Sequence, residues 1–177
     1  MKTTFNEIAK PIAGEYDPYA RMYIDLLPDD NKVLYHLQQN GAALKQHIAA
    51  QPEEKLNKGY APGKWTLKEL LVHMIDTERI FAYRALCIAR NEKAMLPGFE
   101  EGDYVHYSNA GKRAIEAIMA EYDSVRLGTL ALLNSLDEEA LLRTGNANNA
   151  TVSVRALAYQ TAGHELHHIN VIKERYV

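Results

Sequence analysis

The segment TLKELLVHMIDTERIFAYRALCI, residues 66–88, decides the fold of this chain. It begins with a capping box, because Thr66 can cap the first turn and Glu69 follows three residues later. Apolar side chains then recur at helical spacing in one row, and a second row beside it contains His73. A helix with two inward rows contacts protein on two sides, which is typical of a bundle. The sequence therefore predicts a long buried helix that ends near Asn91.

Three further segments show the same helical periodicity: about 30–50, about 109–135, and the stretch from Ser153 nearly to Val177. Asp29 or Asp30 can cap the first of them. A short helix is expected at 137–142, and a loop at 145–149, where glycine and asparagine cluster. No alternating apolar pattern supports a strand. Four long amphipathic helices predict an all-α four-helix bundle.

The composition is that of an ordinary globular protein, with 47% apolar and 24% charged residues among 177. We expect one domain over residues 1–177, with residues 1–28 mostly irregular because prolines and a glycine interrupt them. A net charge of −3 gives no basic field for nucleic acid. No segment is apolar for long enough to span a membrane, and the first residues lack a signal peptide's apolar stretch, so we expect a cytoplasmic protein. The single cysteine, Cys87, excludes an intramolecular disulfide and a cysteine-based zinc site.

Two histidines of the last predicted helix, His164 and His168, are four residues apart and lie on its apolar row. One turn separates them, about 6 Å in rise, so both imidazoles can bind one divalent metal ion. Each would otherwise need a buried hydrogen-bond partner or cost about 1–3 kcal/mol. His73, from a facing helix, would complete a three-histidine site with open positions, the usual layout of a catalytic metal. The alternative is a set of buried histidines with ordinary polar partners.

Two other interpretations of these histidines remain open. The segment also fits the zinc-protease pattern His-Glu-x-x-His. The common forms of that pattern need a third ligand downstream. Only nine residues follow His168, and Glu174 lies on the same straight helix, so it cannot turn back to the same metal ion. In the second interpretation the metal only staples two helices, and a fourth protein ligand closes the site. The candidates for that ligand are His106, Asp76 and Glu78.

Two motifs together resemble the DinB/YfiT-like superfamily. The first is YAPGKWTLKELLVH, residues 60–73, and the second is GHELHH, residues 163–168. The resemblance covers the chain from about residue 30 to its end. Each motif is weak by itself, whereas a Pro-Gly-x-Trp entry, one histidine and a late His-x-x-x-His are specific in combination.

The resemblance implies a four-helix bundle of up-down-down-up topology, often assembled as a homodimer. It also implies a divalent metal ion, typically zinc or nickel, held by His73, His164 and His168, with His167 outside the ligand set. The activities implied are hydrolysis of a small-molecule substrate, or transfer and isomerisation that depend on a low-molecular-weight thiol such as bacillithiol or mycothiol. The resemblance does not choose among them.

A three-histidine site suits either chemistry. A metal ion lowers the pKa of bound water toward neutrality, and it equally binds a thiol as thiolate, which the chain would take from a co-substrate. Glu165 points about 100° away from the neighbouring His164, so it is interpreted as a surface or supporting residue rather than a general base. Trp65 is interpreted as a plug at the end of the bundle. The acidic loop 100–104 is a candidate cover for the open side of the metal.

Overall fold

The computed structural model describes residues 5–176, which fold mainly into helices. These are α1 (Arg21–Ile24), α2 (Val33–Ala49), α3 (Glu53–Leu56), α4 (Leu67–Ala89), α5 (Glu101–Tyr107), α6 (Ile115–Asn134), α7 (Glu138–Leu142) and α8 (Val154–Arg175). Single turns of 3-10 helix lie at Pro18–Ala20 and Ala110–Lys112. Two short strands, β1 (Thr144–Ala147) and β2 (Ala150–Ser153), pair as an antiparallel hairpin. Among the described helices, none is both long and apolar enough to cross a bilayer.

The apolar core is divided into two clusters along the bundle, and their membership gives the direction of each long helix. One cluster joins the beginnings of α4 and α6 to the ends of α2 and α8, represented by Leu70, Ile118, Leu44 and Ile172. The other joins the beginnings of α2 and α8 to the ends of α4 and α6, represented by Leu34, Leu157, Ile88 and Leu133. Therefore α4 and α6 run parallel to each other and antiparallel to α2 and α8. The predicted four-helix bundle with up-down-down-up topology is confirmed.

The connection between α4 and α6 has to travel the length of the bundle, because these two helices run parallel. We call residues 90–114 the crossover. It contains α5, which packs on α4, so the sequence prediction of an irregular loop here was incomplete. The third long helix also starts at Ile115 rather than near Asn109. Asn109 is left-handed, with φ 54°, and the backbone is extended at Arg113, which separates the 3-10 turn from α6.

The hairpin formed by β1 and β2 corrects the prediction of a loop at 145–149 and of no strands. Asn148 and Asn149 form its two-residue turn, with φ of 53° and 63°. Asparagine tolerates this left-handed conformation, which suits the tight turns of hairpins. The strands have four residues each and little apolar alternation, so the sequence carries no strand signal. The hairpin is held by the crossover, since Leu96 exchanges backbone hydrogen bonds with Asn146 and Asn148.

The described part of the segment before α2, residues 5–32, is mostly irregular, and residues 1–4 of the region predicted to be irregular lie outside the described residues. It packs against α8. Tyr159 donates its hydroxyl to the carbonyl of Ile8, at 3.0 Å. A Cβ on Gly163 would lie 2.2 Å from the carbonyl oxygen of Tyr23, so only glycine lets α1 approach α8 this closely. The predicted cap of α2 is also corrected, since Lys32 occupies the N-cap position.

Candidate metal centre

Three imidazoles from two helices meet between the apolar clusters. His73 of α4 and His164 of α8 bring their Nε2 atoms to 3.1 Å, and the Nε2 atoms of His164 and His168 are 3.0 Å apart. The three candidate ligand atoms all lie within 4.8 Å of one another. His73 and His164 are only 3% and 6% exposed. The structure therefore brings together the three residues that the sequence singled out.

The start of each helix determines where its histidine lies. The capping box of α4 is formed as predicted, since the Thr66 N–H donates to Glu69 Oε2 at 2.7 Å and the Glu69 N–H donates to Thr66 Oγ1 at 3.2 Å. Ser153 caps α8 by accepting from the Ala156 N–H at 3.1 Å. Such caps stabilise helix starts by about 1 kcal/mol each. The two long helices pack antiparallel from these defined starts, which sets His73 opposite the middle of α8.

The hydrogen-bonding capacity of the three rings fits a cation better than it fits the rings alone. The Nε2 of a neutral imidazole either donates one proton or accepts with one lone pair. His164 Nε2 has two imidazole contacts, so ordinary hydrogen bonding can satisfy one of them only. A cation accepts all three lone pairs at once. Two nitrogen ligands of a tetrahedral ion at about 2.0–2.1 Å stand roughly 3.3 Å apart, close to the spacing seen here.

Burial keeps the three imidazoles neutral and therefore able to bind a metal. Burial lowers the pKa of His73 to about 4. It lowers the pKa of His168 to about 3, and the neighbouring His73 and His167 lower that pKa further. Burial also holds the pKa of His164 well below its usual value, with the other histidines contributing. Metal ligation requires the neutral ring, so no proton has to leave near pH 7.

Aromatic rings surround the cluster and fix the imidazole planes. Trp65, which the sequence suggests is a plug at the end of the bundle, lies against His73 with ring centroids 4.9 Å apart. Tyr23 of α1 packs edge-on against His164 at 5.3 Å and against His167 at 5.6 Å. His167 also packs edge-on against His168, at 5.0 Å between ring centroids, but it is not part of the three-histidine cluster found among residues 5–176.

A buried ionic network lies beside the cluster, and sequence reasoning missed it. Arg126 of α6 donates to Glu78 of α4 through Nε at 3.0 Å and Nη2 at 2.8 Å, and to Glu165 of α8 through Nη2 at 2.6 Å. Its Nη1 donates to the carbonyl of Leu37 on α2, at 2.6 Å. Tyr122 donates its hydroxyl to the same Glu165 oxygen. One guanidinium therefore joins all four bundle helices.

The charges of this network are strongly coupled. Burial alone would lower the pKa of Arg126, but Glu165 and Glu78 raise it well above its usual value. Burial raises the pKa of Glu165, and Arg126 partly offsets the change. Glu165 is thus buried rather than on the surface; its Oε1 accepts from Arg126 and Tyr122, and its Oε2 has no hydrogen-bond partner among residues 5–176. Its partners disfavour the zinc-protease interpretation, in which this glutamate would serve as general base.

A cavity of about 480 Å³ opens directly onto the cluster at His164. Its inner wall comes from α4 and α8, and its outer wall from α1, the crossover and the hairpin. The aromatic residues lining it are Tyr19, Tyr23, Phe81 and Phe99. The polar residues of α4 and α8 in the wall are Thr77, Arg84 and Gln160. Among residues 5–176, the buried Thr77 hydroxyl has no hydrogen-bond partner.

A second cavity, of about 320 Å³, reaches the cluster at His168. Tyr60, Trp65 and Tyr176 give it an aromatic wall. The two cavities have different lining residues, so the cluster can be approached from two directions.

One carboxylate approaches the cluster from outside the two ligand helices. Glu101 of α5 brings Oε2 to 3.9 Å from His73 Nε2, and its side chain is 64% exposed. The acidic segment expected to cover the site does lie over it, as a helix rather than a loop. The fourth ligands considered earlier, Asp76, Glu78 and His106, are not part of the three-residue cluster found among residues 5–176. Glu78 is instead paired with Arg126.

Comparison with known proteins agrees with this fold. Residues 36–172 match the DinB superfamily, and the chain therefore belongs to that superfamily. It is 23% identical over 131 residues to a protein of Oceanobacillus iheyensis named "Putative metal-dependent hydrolase", covering 73% of this chain and 75% of that one. A Geobacillus thermodenitrificans protein of the same name is 25% identical over 96 residues, and this match covers 54% of each chain.

A solved structure shares the whole fold. YfiT from Bacillus subtilis, described as "a probable metal-dependent hydrolase with an unusual four-helix bundle topology", has a TM-score of 0.73 with this chain at 19% sequence identity. The match covers 92% of both chains. At this identity the likeness establishes the fold, and the fold agrees with the helix directions derived from the two apolar clusters.

Proposed function

We propose that this protein is a metal-dependent enzyme that hydrolyses a small molecule held in the cavity at His164. The observation that supports it is the convergence of three neutral imidazole Nε2 atoms, from His73, His164 and His168, at the wall of that cavity. Three protein ligands leave a divalent ion, zinc or nickel, with open positions for substrate or water. The names of the two curated relatives support the hydrolytic assignment.

The residues around the cluster have separate tasks in this proposal. The bound ion would supply Lewis acidity and lower the pKa of a water molecule. Glu101 is close enough to the open side of the cluster to hold or move a proton there. Among the described side chains, His73 is its one partner at salt-bridge distance. Tyr23 and Trp65 would exclude water from the imidazoles. Arg126 would hold α4, α6 and α8 in register and so keep the three nitrogens convergent.

The first test is metal analysis of protein purified without an affinity tag. After incubation with zinc, nickel or manganese and removal of free ion, we expect about one ion per chain for at least one of them. A stoichiometry near zero for all three would refute the proposal. The second test measures hydrolysis of an ester panel by the loaded protein. The Glu101→Gln variant should keep the metal and lose most of the activity, because it removes a proton acceptor and no ligand.

Thiol-dependent transfer is the second candidate, and the cavity at His168 favours it. Two cavities with different lining residues at one histidine cluster suit a reaction with two substrates, one of which would be a low-molecular-weight thiol. The protein has no cysteine at the cluster, since Cys87 lies in the other half of α4. Assay of the loaded protein with an electrophile panel, with bacillithiol, mycothiol, glutathione or no thiol, separates the two candidates.

A purely structural metal site is disfavoured by the absence, among residues 5–176, of a fourth residue in the cluster. The assembly is also a proposal: a homodimer acting on a small molecule, with no nucleic-acid or membrane partner. Light scattering of the purified protein measures its mass in solution, and a mass of one chain would refute the dimer.

A further inference from the structure

Arg84 of α4 is a buried cation without an ionic partner. It is 7% exposed, and no carboxylate among residues 5–176 lies within salt-bridge distance of its guanidinium. The described contacts occupy only part of its five N–H groups, since Nη2 donates to the carbonyl of Pro97 at 2.6 Å. Burying a charge is costly unless it is paired. The cost is visible in this residue, because burial lowers the pKa of Arg84.

The position of Arg84 relates it to the candidate metal centre. It lines the cavity that His164 also lines, and Phe81 lies between them. The guanidinium carbon is 6.0 Å from the centroid of the Phe81 ring, whose centroid is 6.2 Å from that of His164. Thr77, whose hydroxyl has no described partner, lies two helical turns before Arg84, about 10 Å along the axis of α4.

The other charges of the cavity do not neutralise this cation. They are Asp17, Glu100 and Glu101, and all three are exposed residues at the mouth, where solvent screens them. Asp17 is already occupied with the Tyr19 N–H, at 2.8 Å. The inner part of the cavity therefore combines one buried positive charge with aromatic walls.

We propose that Arg84 binds an anionic group, a carboxylate or phosphate, of the substrate. A guanidinium binds such groups through paired N–H donors, and pairing would remove the cost of its burial. The reacting group would lie at the histidine cluster, roughly two helical turns from the anion, with an apolar or aromatic part between them against Phe81. This inference rests on the proposed function, because it takes the cavity at His164 as the substrate site.

The test uses metal-free protein, so that it does not depend on the metal or on turnover. Calorimetric titration compares 4-phenylbutyrate with its uncharged analogue 4-phenylbutanamide. We expect the wild type to bind the acid at least about tenfold more tightly, the size of a modest charge-assisted contact. Arg84→Met should abolish that preference. Equal affinity of the wild type for acid and amide, or an Arg84→Met variant that keeps the preference, would overturn the proposal.

Three controls separate anion binding from a structural role. Arg143→Met removes an arginine that also donates to a backbone carbonyl, that of Ala89, but is paired with Glu139 and does not line the cavity. It should keep the preference for the acid. If Arg84→Met fails to fold, Arg84→Lys replaces it, because lysine keeps the charge but lacks the paired N–H donors of the planar guanidinium. Arg84→Lys should weaken the preference for the acid; an unchanged preference would count against binding through paired donors. Metal stoichiometry of Arg84→Met should equal that of the wild type.

Phenyl phosphate in the same titration identifies the kind of anion. Binding tighter than that of 4-phenylbutyrate, and lost in Arg84→Met, would support the proposal with a phosphate substrate. If the wild type binds no metal yet shows the Arg84-dependent preference, the proposed hydrolase fails while the anion site stands. If it binds metal and hydrolyses esters without the preference, the anion site fails alone.

Discussion

Gly41 of α2 lies directly against the hydroxyl of Tyr122 of α6. A Cβ at position 41 would be 2.8 Å from Tyr122 Oη and 3.0 Å from Arg126 Nη1. Like any glycine inside a helix, Gly41 makes α2 less stable than alanine would. In the structure it provides the space in which Tyr122 and Arg126 reach Glu165, so the helix gives up intrinsic stability to admit the buried network.

The first prediction contrasts two helical glycines. Gly41→Ala should lower the free energy of unfolding, because Tyr122 is held in place and cannot move away from the new methyl group. Gly128→Ala in α6 should raise it by about 0.5–1 kcal/mol, since nothing lies within 4 Å of the new Cβ. Urea unfolding measures both. Stabilisation by both variants would show that Tyr122 is not confined.

The second prediction concerns the ligands one by one. His73→Ala, His164→Ala and His168→Ala should each lose tight metal binding, because each removes a converging nitrogen. His167→Ala should bind the ion almost normally, since that ring packs edge-on against Tyr23 and His168 and adds no nitrogen to the three that converge. Metal analysis after dialysis decides the matter. Loss of the ion in His167→Ala with retention in His168→Ala would mean that the ligand pair is spaced three residues apart.

The third prediction tests the buried network. Arg126→Met leaves the buried carboxylates of Glu78 and Glu165 without their cation and should cost about 3–5 kcal/mol. The matched control is Arg79→Met. Arg79 also pairs with carboxylates of two helices, but its side chain is 47% exposed, so its loss should cost about 1 kcal/mol or less. Equal losses in urea unfolding would contradict the assignment of a buried network.

The fourth prediction is the acid sensitivity of the metal-free protein. The pKa values of His73 and His168 are lowered in the folded state, to about 4 and about 3, so the unfolded chain binds protons first as pH falls. Their contribution to stability is complete above the usual histidine pKa of about 6.5 and is lost as pH falls toward those values. Urea unfolding between pH 7.5 and 5 should therefore show a falling midpoint. The decline should be shallower in His168→Asn, and an identical decline would exclude His168 from the effect.

Much of this fold was predictable because local signals agree with tertiary packing. The capping box at Thr66 and the inward rows of α4 and α8 predict the helical bundle. The same rows contain His73, His164 and His168 and so predict that the three side chains lie together. The buried network is also visible in the sequence pattern. Glu78 interrupts the apolar row of α4, and Arg126 follows Tyr122 by one turn on the inward row of α6. Two opposite charges on facing inward rows indicate a buried pair.

The remaining features depend on contacts that the local sequence does not record. The hairpin has strands of four residues and is stable because Leu96 and Ile88 pack and bond against it. The approach of Glu101 to His73 depends on how the crossover folds back over α4. The partnerless state of Arg84 is a property of the assembled cavity, since any of the nearby acidic residues could have paired with it on sequence grounds.

The parallel course of α4 and α6 has a consequence for how such proteins can diverge. All three candidate ligands belong to two helices locked in the core, whereas the outer cavity wall includes the crossover and the hairpin. Surface connections of this kind accept substitutions and changes of length at small thermodynamic cost. The three candidate ligands and the outer cavity wall are therefore encoded in separate stretches of the chain, so we expect changes within residues 90–114 to reshape that wall while His164 and Arg84 of the inner wall stay in place.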